Sequence, residues 1–403
     1  MKSKVPLRHP DVPRPIPGID TLASLLRLRE PSREQWAELG EALVIGDEPM
    51  DRLVAWMIET GLDRTRSLFE EALSRGVETV PEAPEPLREF FAQVQTPPDW
   101  LDRDKIRHGA QVYRIGGVDG LYLARDVAFL GGYLASGFNK TLIRTGALEK
   151  GPAQRFAETL QWALDVTSDA GLEPWGRGYR STLRVRLIHA LVRTHVAALP
   201  DWDSDRWGLP INQTDMAATL IGALMVPFLG AFPMGIVPAA RDLESAAHLT
   251  RYVGWLIGVE ERFLPNGFRD SVRLLNHTLA AITNPDETTR QLALPMGDDP
   301  LNWHYQRLSG VRGRVARSRH LSIATTFLGP KAMRRLGLPA HLPWYPMVRA
   351  PVNAGRSTLV RALPGAAEFF AARGRRAQEG FLRTLIGADS AVIGESVSAI
   401  RPN

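Results

Sequence analysis

The sequence predicts an all-α protein, and three observations carry that prediction. Apolar residues recur at three- and four-residue spacing through most of the chain, with charged residues filling the outer faces. Strand-like alternation is nearly absent, and no internal repeat or low-complexity tract interrupts the pattern. With 44% hydrophobic and 23% charged residues, a chain of 403 residues can bury a large helical core.

The elements follow in order. Residues 1–20 read as an extended, proline-broken arm, and helical periodicity runs from Pro31 to Arg75 with a break at "GDEP" (46–49). The connector "VPEAPEP" (80–86) precedes the turn "TPPDW" (96–100), which opens a helix starting near Leu101. Further apolar helices are expected at about 119–136, 152–168, 181–199, 214–226, 244–263 and 267–283. Residues 284–350 are mixed, with Gly and Pro punctuation and the basic run "RGRVARSRH" (312–320); a last helix covers 365–386. This pattern divides the chain into an arm and packing helices (1–95), a core (96–285) and a C-terminal extension (286–403).

Composition removes several function classes. There is no cysteine, which excludes disulfides, thiolate metal sites and Cys nucleophiles together. A net charge of +5 is small for this length, so no nucleic-acid partner is expected, and the 312–320 run reads as a solvated face. The N-terminal residues lack the apolar core of a signal peptide, which predicts a cytoplasmic protein. The uncharged stretch Met216–Ala240 is long enough to span a bilayer, but Pro227, Pro233 and Pro238 break it. A buried helix followed by a loop is expected there, and no stable membrane span. His-Glu-x-x-His, Gly-x-Ser-x-Gly and EF-hand patterns are all missing. In "GGYLASGFNKT" (131–141) the Lys does not follow the second Gly, so it is no phosphate loop. His189 and His195 lie six residues apart on different sides of a helix and cannot share a metal.

The informative segment is "RVRLIHALVR" (184–193). Taken as a helix over 181–196, capped by Ser181 or Thr182, it groups Arg186, His189 and Arg193 on one face. Val185 and Val192 flank the histidine on the other side, while Leu183, Leu187 and Leu191 lie opposite. A helix apolar nearly all round should be buried. Two readings fit a buried face of this kind. In one, His189 is a core histidine and both arginines pair with acids elsewhere in the chain. In the other, the face meets haem, whose iron takes an axial imidazole, whose propionates want cations and whose porphyrin packs on valines. A second helix, "AQRFAETLQWALDV" (153–166), puts Arg155, Thr159, Trp162 and Val166 on one stripe with Glu158 at its edge. That stripe suits a pocket wall; an ordinary Arg155–Glu158 surface pair is the alternative.

Four stretches together resemble a known family. The run "TPPDWLDRDKIRHGAQVYRIGG" (96–117), the pair Arg155-x-x-x-Thr159, "GRGYRSTLRVRLIHALVR" (176–193) and "GLPINQTD" (208–215) are similar to the latex clearing protein (rubber oxygenase) family. That family belongs to a wider group of haem proteins that includes MpaB-type oxygenases, and the resemblance covers roughly residues 95–265. It implies an all-helical fold with a globin-like core and haem b, His189 as the proximal iron ligand, and Arg186 and Arg193 close to the haem. Arg155 and Thr159 match the paired polar positions of the haem pocket. Characterised rubber oxygenases use O₂ to cleave the double bonds of polyisoprene. The implied function is a haem-dependent oxygenase acting with O₂ on an apolar, unsaturated or isoprenoid-like substrate. In the rubber-cleaving enzymes a lysine precedes the threonine; here that position is Glu158. With no export signal as well, a smaller apolar molecule fits better than the polymer. Two other readings remain open: a haem-binding sensor, carrier or peroxidase-like protein, and a haem-free helical protein that binds lipid or a partner.

Overall fold

The computed structural model describes residues 5–387, and among them the architecture is helical, with one isolated bridge between Ala135 and Asn284 and no strand. Ten helices carry the argument. They are α1 (Glu48–Thr60), α2 (Arg103–Leu123), α3 (Pro152–Val166), α4 (Arg177–Ala197) and α5 (Gln213–Leu229). Then come α6 (Ala240–Ile257), α7 (Phe268–Ile282), α8 (Ser309–Leu336), α9 (Trp344–Ala362) and α10 (Ala366–Ile386). One apolar core joins the helices before residue 96 to α4, α5 and α6, through Leu53, Met57, Phe91, Leu183, Leu224 and Leu256.

Helix α2 is the central strut, packed between α6 and α10. It starts at Arg103, where the Asp102 side chain accepts from the Asp104 and Lys105 amides and caps the first turn. It then continues through the residues where a separate helix was expected. Gly117 (φ 57°) kinks it, and the Gln378 side-chain amide of α10 donates to the carbonyls of Tyr113 and Gly117, 3.1 and 3.3 Å away. A Cβ at Gly374 would collide with the Arg114 carbonyl, so a glycine is needed for α10 to approach this closely. Past α2 the chain takes a π-helical turn, Ala124–Phe129, which buries the consecutive residues Arg125 and Asp126.

Two expectations are corrected. Helix α4 begins at Arg177, capped by Gly176, so Ser181 and Thr182 lie inside it. The Gly-rich turn is drawn into the helix because its start presses on the end of α3: a Cβ at Gly178 would lie 2.6 Å from the Val166 Cα. The supposedly mixed stretch 284–350 contains the 28-residue helix α8, bent at Gly329 (φ 79°) ahead of Pro330, and the start of α9. The Met216–Ala240 stretch is largely buried, as expected: α5 is followed by a short 3-10 turn, Phe232–Met234. Among the described residues no helix is long and apolar enough to cross a membrane.

Candidate active site

Helices α3 and α4 pack together in antiparallel order, and one buried bond sets their register. The Trp162 indole donates to Thr182 Oγ1 at 3.0 Å. One turn further along each helix, Thr159 comes opposite Val185 and Arg186; another turn brings Arg155 opposite His189. By this register the polar stripe of α3 runs along the Val185–His189 side of α4. Arg155, Glu158, Thr159, Val185, Ile188 and His189 are all only half-buried, although their helix neighbours Phe156, Ala157, Leu183 and Ala190 are buried.

His189 is the chemically open group of this seam. Neither ring nitrogen takes part in a hydrogen bond among the described residues, and Nδ1 is fully buried without a partner. Burial, helped by the charge of Arg193, pushes its pKa down to about 4. The imidazole is therefore neutral near pH 7, the protonation state a metal requires. An uncharged imidazole lacking an internal partner, on a wall carrying Val185 and Ile188, fits haem b. Through the iron a haem would occupy a nitrogen that the chain leaves unused.

The arginine flank is used differently from what the resemblance implied. The Arg186 guanidinium makes a two-point ion pair with Asp47, 2.6 and 2.7 Å, and donates to the Leu256 carbonyl at 3.3 Å. Arg193 pairs with Asp51 at 2.8 Å and donates to the Ile211 carbonyl at 2.6 Å. Arg184 pairs with Glu70. These acids tie α4 to α1 and the helix after it. Glycine makes the fit possible, since a Cβ at Gly258 would lie 2.7 Å from Arg186 Nε and one at Gly46 would lie 2.8 Å from Arg193 Nε. The guanidiniums expected at a haem edge are thus paired with carboxylates inside the chain. Val192 is buried against Val196 and Trp202, whereas Val185 and Ile188 pack against the core but stay half-buried.

On α3, Arg155 donates to the Tyr133 hydroxyl at 3.2 Å and lies over the rings of Phe129 and Tyr133. Thr159 bonds back to the Arg155 carbonyl at 3.2 Å. Glu158 forms an ion pair with Lys150, a partner that the sequence reading missed. Tyr133 was missed too, because nothing in its local spacing marks it. The "PINQTD" turn is a hub: Gln213 bonds the carbonyls of Gly46 and Gly258, and Thr214 bonds that of Leu39. It holds the loop bearing Asp47 against α4.

A family model described as "ER-bound oxygenase mpaB/B'/Rubber oxygenase, catalytic domain" matches residues 113–362, more than half of the chain. The chain belongs to this family. Rubber oxygenase from Streptomyces sp. (strain K30) is 25% identical over 231 residues, 55% of each chain. The protein thus spans about half the length of that curated relative. A solved structure of latex clearing protein LCP in the closed state superposes with a TM-score of 0.64, covering 85% of this chain and 91% of that one at 19% identity. That likeness establishes the shared helical fold.

Proposed function

We propose that this chain is a haem b-dependent oxygenase that uses O₂ on an apolar, unsaturated or isoprenoid-like small molecule. The observation that carries the reading is His189, a neutral imidazole without an internal partner, set opposite the polar stripe of α3 in a member of the mpaB/rubber oxygenase family. His189 holds the iron, and Val185 and Ile188 pack against the porphyrin. Bound haem supplies the iron that activates O₂. The rest belongs to the chain. Arg155, held in place by Tyr133, donates hydrogen bonds to oxygen atoms of ligand or substrate. Thr159 offers a second hydroxyl. Glu158, steadied by Lys150, accepts a proton or orders a water. Arg186 and Arg193 hold α4 against Asp47 and Asp51, which fixes the height and tilt of His189.

The absorption spectrum of the purified, haem-supplemented protein tests this first. A Soret band that shifts or disappears in His189→Ala supports the ligand assignment; a protein that takes up no haem overturns it. Oxygen uptake with unsaturated terpenoids then tests the activity. Peroxide turnover without O₂ uptake would instead assign a peroxidase-like role, the reading to which the acidic Glu158 lends itself.

A further inference from the structure

Charge and exposed apolar surface are distributed unevenly along this chain. From residue 300 to residue 367 there are eleven Lys and Arg residues and no Asp or Glu. Only two of those cations, Arg317 and Arg349, have carboxylate partners among the described residues. The same part of the chain carries ten of the twenty exposed large apolar side chains among the described residues, from Leu301 to Leu363.

The packing of α8 against α9 brings these features together. The His341 amide donates to Thr325 Oγ1, the Tyr345 amide to Ser322 Oγ and the Trp344 indole to Ser318 Oγ, at 3.0, 3.2 and 3.1 Å. As the number rises on one side it falls on the other, so the helices run antiparallel. Continued by one and two turns, Val315 and Val311 extend the stripe of α8 that carries Ser318 and Ser322. Val348 and Val352 extend the stripe of α9 that carries Trp344, with Met347 next to it. These four valines and Met347 are more than half exposed, and Leu308 at the start of α8 is 75% exposed. Arg307, Arg312 and Arg314 are exposed between them. The inward faces are occupied: Asn353 bonds the Met234 carbonyl, and Tyr345 and Arg349 bond Asp119.

We infer that this face seats on the surface of a lipid bilayer containing anionic headgroups. Its valines and Met347 enter the headgroup boundary, and its arginines meet the phosphates and carboxylates around them. Exposed apolar side chains gathered on one face in this way mark an interaction site. Unpaired arginines along it argue against a second copy of the chain, because a twofold interface would set like charges together. Neither helix spans the membrane. This docking stands apart from the haem reading, and an inactive apoprotein would still show it.

Flotation of the full-length protein with vesicles tests the inference. Vesicles of equimolar phosphatidylcholine and phosphatidylserine should carry the protein, and binding should weaken as salt rises. Arg312→Gln with Arg314→Gln should lower partitioning by about 25-fold, roughly fivefold per charge. Val348→Glu with Val352→Glu should reduce it at least as much. All four positions are exposed, so melting curves should stay close to that of the parent. Failure to float with the mixed vesicles overturns the proposal, as does equal flotation of parent and variants. A concentration-dependent dimer that the Val348→Glu, Val352→Glu protein no longer forms also overturns it, since a second copy would then cover the face.

Discussion

Two histidines of this protein are pushed down to about 4 by burial, and their surroundings separate them. His320 shares Asp126 with Arg125: its Nδ1 lies 2.6 Å from one carboxylate oxygen, and Arg125 donates to the other at 2.7 Å. The rings of Tyr122, Trp303 and Phe381 enclose the imidazole. His189 has a buried nitrogen too, but among the described residues it meets no carboxylate, no carbonyl and no aromatic enclosure. His320 is a core histidine anchored through one ring nitrogen by a carboxylate, although its Nε2 is buried without a partner. Compared with it, His189 has neither ring nitrogen anchored among the described residues, as the proposed haem ligation requires.

The largest expected effect tests that contrast directly. His189→Ala should weaken haem retention by about a hundredfold or more, while His320→Ala keeps it, as read by haem titration at the Soret maximum. Equal losses would erase the distinction. Next, Asp47→Ala should cost about 3–5 kcal/mol in urea unfolding, because it strands the Arg186 charge in the interior. The double change Asp47→Leu with Arg186→Met should recover most of that loss. If the double variant is as weak as the single one, packing rather than charge explains the site.

A smaller effect concerns pH. His320 is protonated at pH values below about 6.5 in the unfolded chain but only below about 4 in the folded one. Between those values the unfolded state binds the extra proton, so stability falls as the pH is lowered through this window and is fully present above it. Subtracting the His320→Asn curve from the parent curve of unfolding free energy against pH should expose this component; parallel curves would refute it. The smallest effect is expected for Thr182→Val, which leaves the Trp162 indole unpaired at a cost of about 1–2 kcal/mol. A neutral result would mean that this bond does not hold α3 and α4 in register.

The sequence made the helices with one apolar face readable, and α3, α4 and α7 start or end within a few residues of their expected limits. It concealed α8, because the exposed Leu308, Val311 and Val315 put apolar residues on its outer side as well and blurred the period. At the site, spacing alone showed that Arg186, His189 and Arg193 share a face. It could not show where the guanidiniums end, since Asp47 and Asp51 lie 139 and 142 residues away along the chain. The one trace of Asp47 was the acidic "GDEP" turn (46–49), which helical periodicity registers only as a break, and Asp51 lies just beyond it. The α3 stripe was readable for the opposite reason, as its whole pattern is local.

The fit of α10 onto the kink of α2 has a consequence for how the protein is made. Gln378 completes hydrogen bonds that Gly117 breaks, across 261 residues of intervening chain. That partner is synthesised after all the other helices packed around α2. Until residues 366–386 have emerged, the central strut lacks partners for these carbonyls and the apolar packing of α10, so this long-range docking is a late step of folding.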